Sequence, residues 1–568
     1  MQIMLDGIFV AGNYWGAILF ILIPILGFGS LVVTKLPLND KKNWLSFPLS
    51  FPLGTIVLSL LSFTTILLSR VLPITLPIGS WLLFGLGAIL FIIHLRRWLD
   101  FHLNALYFIV FLIILIIRLA FLKELLTPPY SDPVEHFKIV QDFLTPNSPP
   151  ESFYSISGHY YHFGFHSLAA WLFTLVNTSS PLILALWGQM LLTFIPFSVL
   201  GLVGSITQDK TSAWTAFLLT GFGWEMPAFA ANWGKYPMLA GVATFTAPLV
   251  ALHLSSHKSN KKSLLLGIIL VFGVTFLHTR LLISIILVIL AYTLSIHFTN
   301  SLMVKNKIIK LVLLTGSVFL SLWFHWETFL QTYYNTYFVI LLSIILLLPF
   351  AFRIFPTLAI TALIYLLGVG LVSEIPTPAI FQNYSYSLLD RTYVQISLFL
   401  PLSILGGLSV SGLWKALADH NLLRKGIILV ISFLLVLNAT QLSYDPDPCC
   451  KYVRDQDIAA YNWIKLNTPS DAIFFIPGLR VSDRLLGTDA GLWIQPLTGR
   501  KTKKRPFDIS WLAPDVVADI CQFGSVYIYA GGRAFSFDAS SYVERNPQYQ
   551  KVFSQEKVNI YSVTCSMK

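Results

Sequence analysis

The sequence predicts a polytopic α-helical membrane protein that carries a small α/β domain at its C-terminal end. Three observations lead there. The chain of 568 residues is 55% hydrophobic, with a mean hydropathy of +0.71. Charged residues make up 11%, under half the roughly 25% of soluble domains. The apolar residues fall in long runs separated by short basic loops, until composition changes at SYDPDPCCKYVRDQD, 443–457. A soluble core of this size has no room for so much apolar surface.

A bilayer core needs roughly 20 apolar residues per helix. On that rule about 14 spans fall near 12–33, 46–68, 76–95, 103–122, 181–205, 213–230, 238–255, 263–279, 281–298, 308–324, 337–352, 357–373, 393–414 and 425–443. The first run starts near Gly12 without a basic stretch before it, so it reads as a retained span, not a cleavable leader. No eukaryotic-style targeting signal is evident, which favours a prokaryotic source.

The net charge is +11, and its distribution argues against nucleic acid as the partner. One set of alternate loops holds sixteen basic residues: Lys35, Lys41, Lys42, Arg96, Arg97, Lys210, Lys258, Lys261, Lys262, Lys305, Lys307, Lys310, Arg353, Lys415, Arg424 and Lys425. The opposite set, up to residue 443, holds Arg70, Lys123, Lys138, Lys235, Arg280 and Arg391, with Arg118 inside a helix. The positive-inside rule makes the first set cytoplasmic. The N-terminus, the loop 123–180 and the tail 444–568 are then expected outside. The segment YYHFGFHSLAAWLFTLV (160–176) is short, and counting it as a span would invert every later loop. It reads as a helix lying along the outer membrane surface.

All four cysteines, Cys449, Cys450, Cys521 and Cys565, lie in the tail, a usage that an oxidising compartment permits. A bridge from the Cys449–Cys450 pair to Cys521 or Cys565 is one expectation and four free thiols the other. No CxxC spacing favours zinc. Within the tail, DQDIAAYNWIKLN (455–467) has helical spacing, and AIFFI (472–476), SVYIYA (525–530) and NIYSV (559–563) read as buried strands. The basic run GRKTKKR (499–505) reads as a solvated loop.

The outer loops concentrate the ionisable residues. SDPVEHFKIVQDFL holds Asp132, Glu135, His136 and Asp142, and GHYYHFGFH holds His159, Tyr160, Tyr161, His162 and His166. Pro133 suits the first helical turn, which leaves Asp132 at or near an N-cap with no further duty required of it. Glu135 and Asp142 read equally as the solvated face of that helix. Further loops offer Trp224, Glu225, Trp233, Lys235 and Tyr236, then His278 and Arg280, His325 and Glu327, and Asp390 and Arg391. An interfacial aromatic belt explains the Trp and Tyr residues. It does not explain the His278–Arg280 and Asp390–Arg391 pairs, and ionisable groups at membrane depth are functional candidates by default. A carboxylate is ionised at neutral pH and accepts a proton from a hydroxyl. Cations beside it hold a phosphate leaving group. Such a set at the lipid boundary fits sugar transfer from a polyprenyl-phosphate carrier.

The stretch RLAFLKELLTPPYSDPVEHFKIVQDFL resembles the first core helix and acidic first outer loop of the GT-C superfamily of membrane glycosyltransferases. YYHFGFHSLAAWLFTLV resembles its juxtamembrane helix, RTYVQISLFLPLSILGGLSVSGL (391–413) its late helix with a basic start, and IAAYNWIKLNTPSDAIFF the start of its extracytoplasmic C-terminal domain. The resemblance covers 103–568. It implies a three-helix addition at 1–102, a GT-C-like membrane domain at 103–443 and an extracytoplasmic α/β domain at 444–568, in the cell (plasma) membrane.

By position the resemblance implies Asp132 as catalytic base in an inverting transfer. Arg391, Arg280 and His278 are looser matches for binding the donor phosphate. Glu135, His136, Tyr160, Tyr161, His162, Trp224 and Glu225 are the candidates for the sugar and acceptor. The partners implied are a polyprenyl-phosphate sugar, membrane lipid and a glycan, lipid or protein acceptor. A divalent metal serves some members. The paired acids of their second acidic loop are missing here, where only Glu225 in GWEMP stands, so no metal ligands are assigned. Two rival readings are a lipid or polysaccharide transporter, which the lack of internal repeats disfavours, and a non-catalytic assembly factor of the same fold.

Overall fold

The computed structural model describes the chain apart from residues 1, 39–43, 73–74, 100–101, 146–161, 259–260, 301–315, 317–328, 335–337, 378–386, 421, 427–428, 431–438, 440–443, 482–483, 539–543, 545 and 566–568. Four helices open it: α1 (Gln2–Val33), α2 (Ser46–Val71), α3 (Leu76–Leu99) and α4 (His102–Leu119). The long loop after them forms α5 (Asp132–Leu144) and α6 (Gly164–Val176). Then come α7 (Leu182–Thr207), α8 (Lys210–Phe222), α9 (Tyr236–Thr244), α10 (Thr246–Lys258), α11 (Lys261–Leu277) and α12 (Leu281–Asn300). Further on lie α13 (Phe338–Ile354), α14 (Pro356–Ser373), α15 (Arg391–Ser397) and α16 (Phe399–Ala416).

Among the described residues eight helical stretches are long and apolar enough to cross a membrane: Gln2–Val33, Ser46–Val71, Leu76–Leu95, Leu182–Thr207, Tyr236–Ser256, Leu281–Thr299, Pro356–Ser373 and Arg391–Ala416. The protein is thus a helical, membrane-embedded one. Of the other expected spans, 308–324 lies outside the described residues apart from Gly316, and most of 425–443 does too. Helix α1 starts ten residues earlier than expected. Its one early charge, Asp6, is held by Lys123. The expected span 213–230 needs correction: α8 stops at Phe222, and Gly223 and Pro227 lie in the non-helical stretch that follows. Proline has no N–H to continue a helical ladder.

Helices apolar all round need neighbours or lipid on every face. α1 and α2 meet where Gly54 lies against the Ile25 backbone with no room for a Cβ, the small-residue contact that membrane helices favour. Phe51, Phe111, Phe194, Phe197 and Phe217 tie α2, α4, α7 and α8 into one aromatic core, with the Phe51 and Phe194 rings 4.8 Å apart. Arg118 does not snorkel to the surface. It is buried, donates to the Gly221 carbonyl at 3.0 Å and lies over the Tyr444 ring. α6 also departs from expectation. Eleven of its thirteen residues are buried, and it packs against α2, α5 and α3, so it is an internal helix and not one laid on a lipid surface.

Loop charges pair in two separate groups. Asp6 meets Lys123, Asp132 meets Lys235, Arg280 meets Asp390, Lys451 meets Glu124, and Arg70 donates to the Asp142 carbonyl. Elsewhere Asp209 meets Lys415, and Lys210 lies over Trp44. Among the described residues, none of these pairs joins the sparsely basic loops of the sequence to the strongly basic ones.

The tail forms one mixed sheet. α17 (Asp455–Asn467) leads into β1 (Ile473–Val481), β2 (Arg484–Gly487), α18 (Ile494–Thr498), β3 (Lys501–Pro506), α19 (Pro514–Ile520), β4 (Val526–Ala530), β5 (Tyr549–Gln555) and β6 (Val558–Val563). The order is β2-β1-β4-β6-β5, and β3 also runs parallel to β1. The basic run 499–505 is therefore no loop. Within β3, Lys503 lies over Phe523 and Arg505 pairs with Asp519. Cys521 bonds Cys565, while Cys449 and Cys450 are thiols, so the expected bridge between the two ends of the tail does not form. The domain rests on α5: Trp493 meets Phe137 with ring centres 5.9 Å apart, and Gln141 donates to the Pro496 carbonyl at 3.4 Å.

Candidate functional site

Helix starts or ends from five places in the chain converge on a cleft of about 800 Å³, within the range of ligand pockets. α5 supplies Asp132 and His136, and the stretch before α6 supplies His162. The residue before α9 is Lys235. The α11–α12 junction supplies His278 and Arg280, and the residue before α15 is Asp390. All seven line the cleft, with Thr275, Ser387 and Tyr393 among its other walls.

Asp132 is the first residue of α5, followed by Pro133. Its carboxylate does not cap that helix. Among the described residues it bonds only to Lys235, with Oδ2 2.5 Å from Nζ. The approach depends on Gly234, which has φ +64 and lies so close to the Pro133 ring that a Cβ would overlap it. A residue with a side chain rarely adopts that φ, and none would fit there. Burial lowers the Lys235 ammonium, but Asp132, bonded to it, and Asp390 raise it above its ordinary value.

On the other side Arg280 pairs with Asp390 at 2.5 Å. The other oxygen of Asp390 accepts from the Tyr393 N–H at 2.7 Å and so caps α15. That cap keeps the carboxylate turned back on Arg280. Two cations, each with its own carboxylate, thus face one space. All four side chains are between one-fifth and two-fifths exposed, so the pairs are within reach of a solute.

Between the pairs stand histidines. His136 lies one turn along α5 from Asp132, and its Nδ1 is 3.1 Å from His166 Nε2. The rings of His162 and His278 are 4.5 Å apart, and Tyr393 stacks on His278 at 5.8 Å. Burial pushes the His136 imidazolium down to about 3, and the Lys235 charge adds to it against a Gly234 backbone bond. Burial lowers His162 and His278 well below the usual histidine range too, helped by neighbouring His278 and Arg280 respectively. These rings are therefore neutral at pH 7 and act by hydrogen bonding and packing. The positive charge of the cleft belongs to Lys235 and Arg280. Among the described residues no group of three or more His, Cys, Asp or Glu is arranged to hold a metal ion.

Of the residues expected from sequence, Asp132, His136, His162, His278 and Arg280 meet in this cleft. Others are elsewhere. Arg391 is exposed and does not line it, because the cap places Asp390, not its neighbour, at the wall. Glu135 is part-exposed beside Lys138 at 3.4 Å. Trp224 is buried, donating to Ser403 Oγ at 2.9 Å, a packing role. Glu225 lines a separate small hollow with Arg118, Gln189, Asn232 and Tyr444. Burial, with Asp447, raises its carboxyl above the usual range. Tyr160 and Tyr161 lie outside the described residues, as do His159, His325 and Glu327. Lys235 and Asp390 are the site residues not assigned from sequence. Their signals are GK before a Tyr-Pro helix start, and an Asp one residue before a helix.

The fold and the cleft define a membrane-embedded helical protein with a polar, doubly ion-paired cleft at its helix ends. No family model matches this chain, and no curated protein matches it at a significant level.

Proposed function

We propose that the protein is an inverting membrane glycosyltransferase of GT-C type, moving a sugar from a polyprenyl-phosphate carrier to an acceptor outside the cytoplasm. The observation that carries this reading is the meeting of Asp132 with two cations, Lys235 and Arg280, in one cleft at the ends of membrane helices. Expulsion of a lipid phosphate needs positive charge where negative charge develops, and a hydroxyl nucleophile needs an acceptor for its proton.

The reaction assigns a role to each group. The donor phosphate competes for Lys235 and Arg280, which loosens both ion pairs. Asp132 then takes the proton of the acceptor hydroxyl. The acceptor oxygen bonds the anomeric carbon from the face opposite the phosphate. The bond from that carbon to the phosphate oxygen breaks, and its electron pair leaves with the lipid phosphate. His136, neutral and one turn from Asp132, orients the sugar or acceptor by hydrogen bonds. Lys235 takes the phosphate role that sequence alone gave to Arg391.

The outward placement of the cleft is supported by the positive-inside count and by the pairing of sparsely basic loops with one another. The disulfide Cys521–Cys565 fits an oxidising compartment for the tail. The test is transfer of labelled sugar from a panel of polyprenyl-phosphate sugars in proteoliposomes. Transfer by the wild type, lost in Asp132→Asn at unchanged thermal midpoint, supports the reading. Equal transfer by both proteins removes Asp132 from the chemistry.

A further inference from the structure

One strap holds both loops that present the Asp132–Lys235 pair. Residues 444–452 precede the α/β domain. The Cys450 carbonyl accepts from the Tyr130 N–H at 2.7 Å, two residues ahead of Asp132. The Asp447 N–H donates to Asn232 Oδ1 at 2.8 Å, three residues ahead of Lys235. The turn between these anchors is closed by Cys450 N–H donating to the Asp447 carbonyl at 3.0 Å and Cys449 N–H to Asp447 Oδ1 at 2.9 Å. Behind it the Tyr130 and Tyr452 rings meet at 5.9 Å, and Arg533 donates to the Tyr452 carbonyl at 2.8 Å. Tyr130 itself has φ +70, a conformation that bulky residues rarely adopt without outside support. The strap supplies that support.

The two cysteines of this turn are adjacent. Cys449 is exposed, Cys450 is buried, and their sulfurs are 2.8 Å apart. We propose that Cys449 and Cys450 form a reversible vicinal disulfide that fixes the strap on the loops presenting Asp132 and Lys235. The sulfurs need to close only from 2.8 Å to about 2.05 Å, with local strain at the two cysteines while the anchors on either side stay in place.

The chemistry balances with an external disulfide as oxidant. The exposed Cys449 thiolate attacks one sulfur of that disulfide and expels its first thiolate. The Cys450 thiolate then attacks Cys449 Sγ and expels the second. The protein loses two protons and two electrons, and the oxidant becomes two thiols. Adjacent Cα atoms stand about 3.8 Å apart, short of the usual disulfide range of about 4.4–6.8 Å. Such a bond is strained and easily reduced, the mark of labile, regulatory disulfides. Burial raises both thiols above the ordinary range, which lowers the thiolate fraction available for exchange. Any consequence for sugar transfer rests on the function proposed above, whereas the bond and its hold on the loops do not.

The experiment uses the full chain in detergent, equilibrated with oxidised glutathione and then, in a second sample, with dithiothreitol. Peptide masses report the bond, and hydrogen exchange reports the Tyr130 amide. The expected result is a 449–450 peptide lighter by two hydrogens only in the oxidised sample. Exchange at Tyr130 should then be at least about threefold slower than in the reduced one. In Cys449→Ser, which keeps the buried sulfur, both differences should vanish while the Cys521–Cys565 bond still responds. Two free thiols in the oxidised wild type would overturn the proposal. So would a bond that forms without altering Tyr130 exchange, or an exchange difference that survives in Cys449→Ser. None of these outcomes depends on transferase activity.

Discussion

Asp132 and Lys235 lie 103 positions apart and form an ion pair 2.5 Å long at the cleft wall. The pair explains why a helix-starting aspartate is not spent on its own helix. In the function proposed above it also sets the resting state, in which Asp132 is covered until an anion draws Lys235 away. Asp132→Asn should lower sugar transfer by about 10²–10⁴-fold, the usual worth of a general base. Lys235→Met should also raise the donor KM, because the phosphate loses a partner. Steady-state kinetics over donor concentration separate the two effects. A Lys235→Met enzyme with unchanged donor KM would remove the lysine from phosphate binding.

Arg280 and Arg391 make a sharper comparison, since sequence gave them the same duty. Arg280 lines the cleft with Asp390, and Arg391 does not. Arg280→Gln should therefore raise the donor KM by at least tenfold, about 1.4 kcal/mol of binding, while Arg391→Gln leaves it within about twofold. The reverse ranking would place the donor outside this cleft.

The membrane class, the α/β tail and the clustering of ions at one set of helix ends were legible because each leaves a periodic or compositional trace. Helix 455–467 was readable to the residue and β4 and β6 to within one, whereas β1 was read only at its start and runs on to Val481. Asp132, His136, His278 and Arg280 stood out as ions where a membrane chain has few. Lys235 and Asp390 were visible as ions but not as site members, since pairing across more than a hundred residues leaves no local pattern. Two other errors share a cause. α6 was placed on the lipid surface and GRKTKKR in solvent because apolar and basic runs look alike whether covered by lipid, water or protein. Only packing distinguishes them, as Phe523 does for Lys503. The cysteine pairing was likewise a question of which chain ends meet.

The histidines give a pH signature. His136 goes from an unfolded value of 6.5 to about 3 in the folded protein, through burial first and the Lys235 charge second. A depressed base binds fewer protons when folded, so stability rises with pH across that window. It should be complete above about pH 6.5 and fall as pH drops towards 3, with His162 and His278 adding in the same direction. The loss is on the order of a few kcal/mol. His136→Gln should flatten part of the slope of thermal midpoint against pH between 6.5 and 4. An unchanged slope would mean that His136 does not titrate differently on folding.

The Cys521–Cys565 bond closes a 44-residue loop that contains β4, β5 and β6 and ties the end of α19 to the chain after β6. In the chain-entropy account such a bond stabilises by about 4 kcal/mol. Cys565→Ser should therefore make the α/β domain cleavable by protease at markedly lower urea, with the membrane helices unaffected. A domain equally resistant without the bond would show that the sheet alone suffices.

Gly234 offers the cleanest test of how the pair is built, because it carries no chemistry. Its φ of +64 and its contact with the Pro133 ring both exclude a Cβ. Gly234→Ala forces either a strained backbone, at about 1–3 kcal/mol, or a shift of the 232–235 loop away from α5. The second path moves Lys235 off Asp132 while leaving both side chains intact. Transfer should then fall by about tenfold or more even though the base and both cations remain, since misplacement of about 1 Å costs up to about a hundredfold in a positioned site. Pro133→Ala in the same chain removes the ring that the new Cβ meets, so the double variant should recover part of that loss. Full activity in Gly234→Ala would mean that the Asp132–Lys235 distance does not govern turnover, and that the pair is an anchor between two loops only.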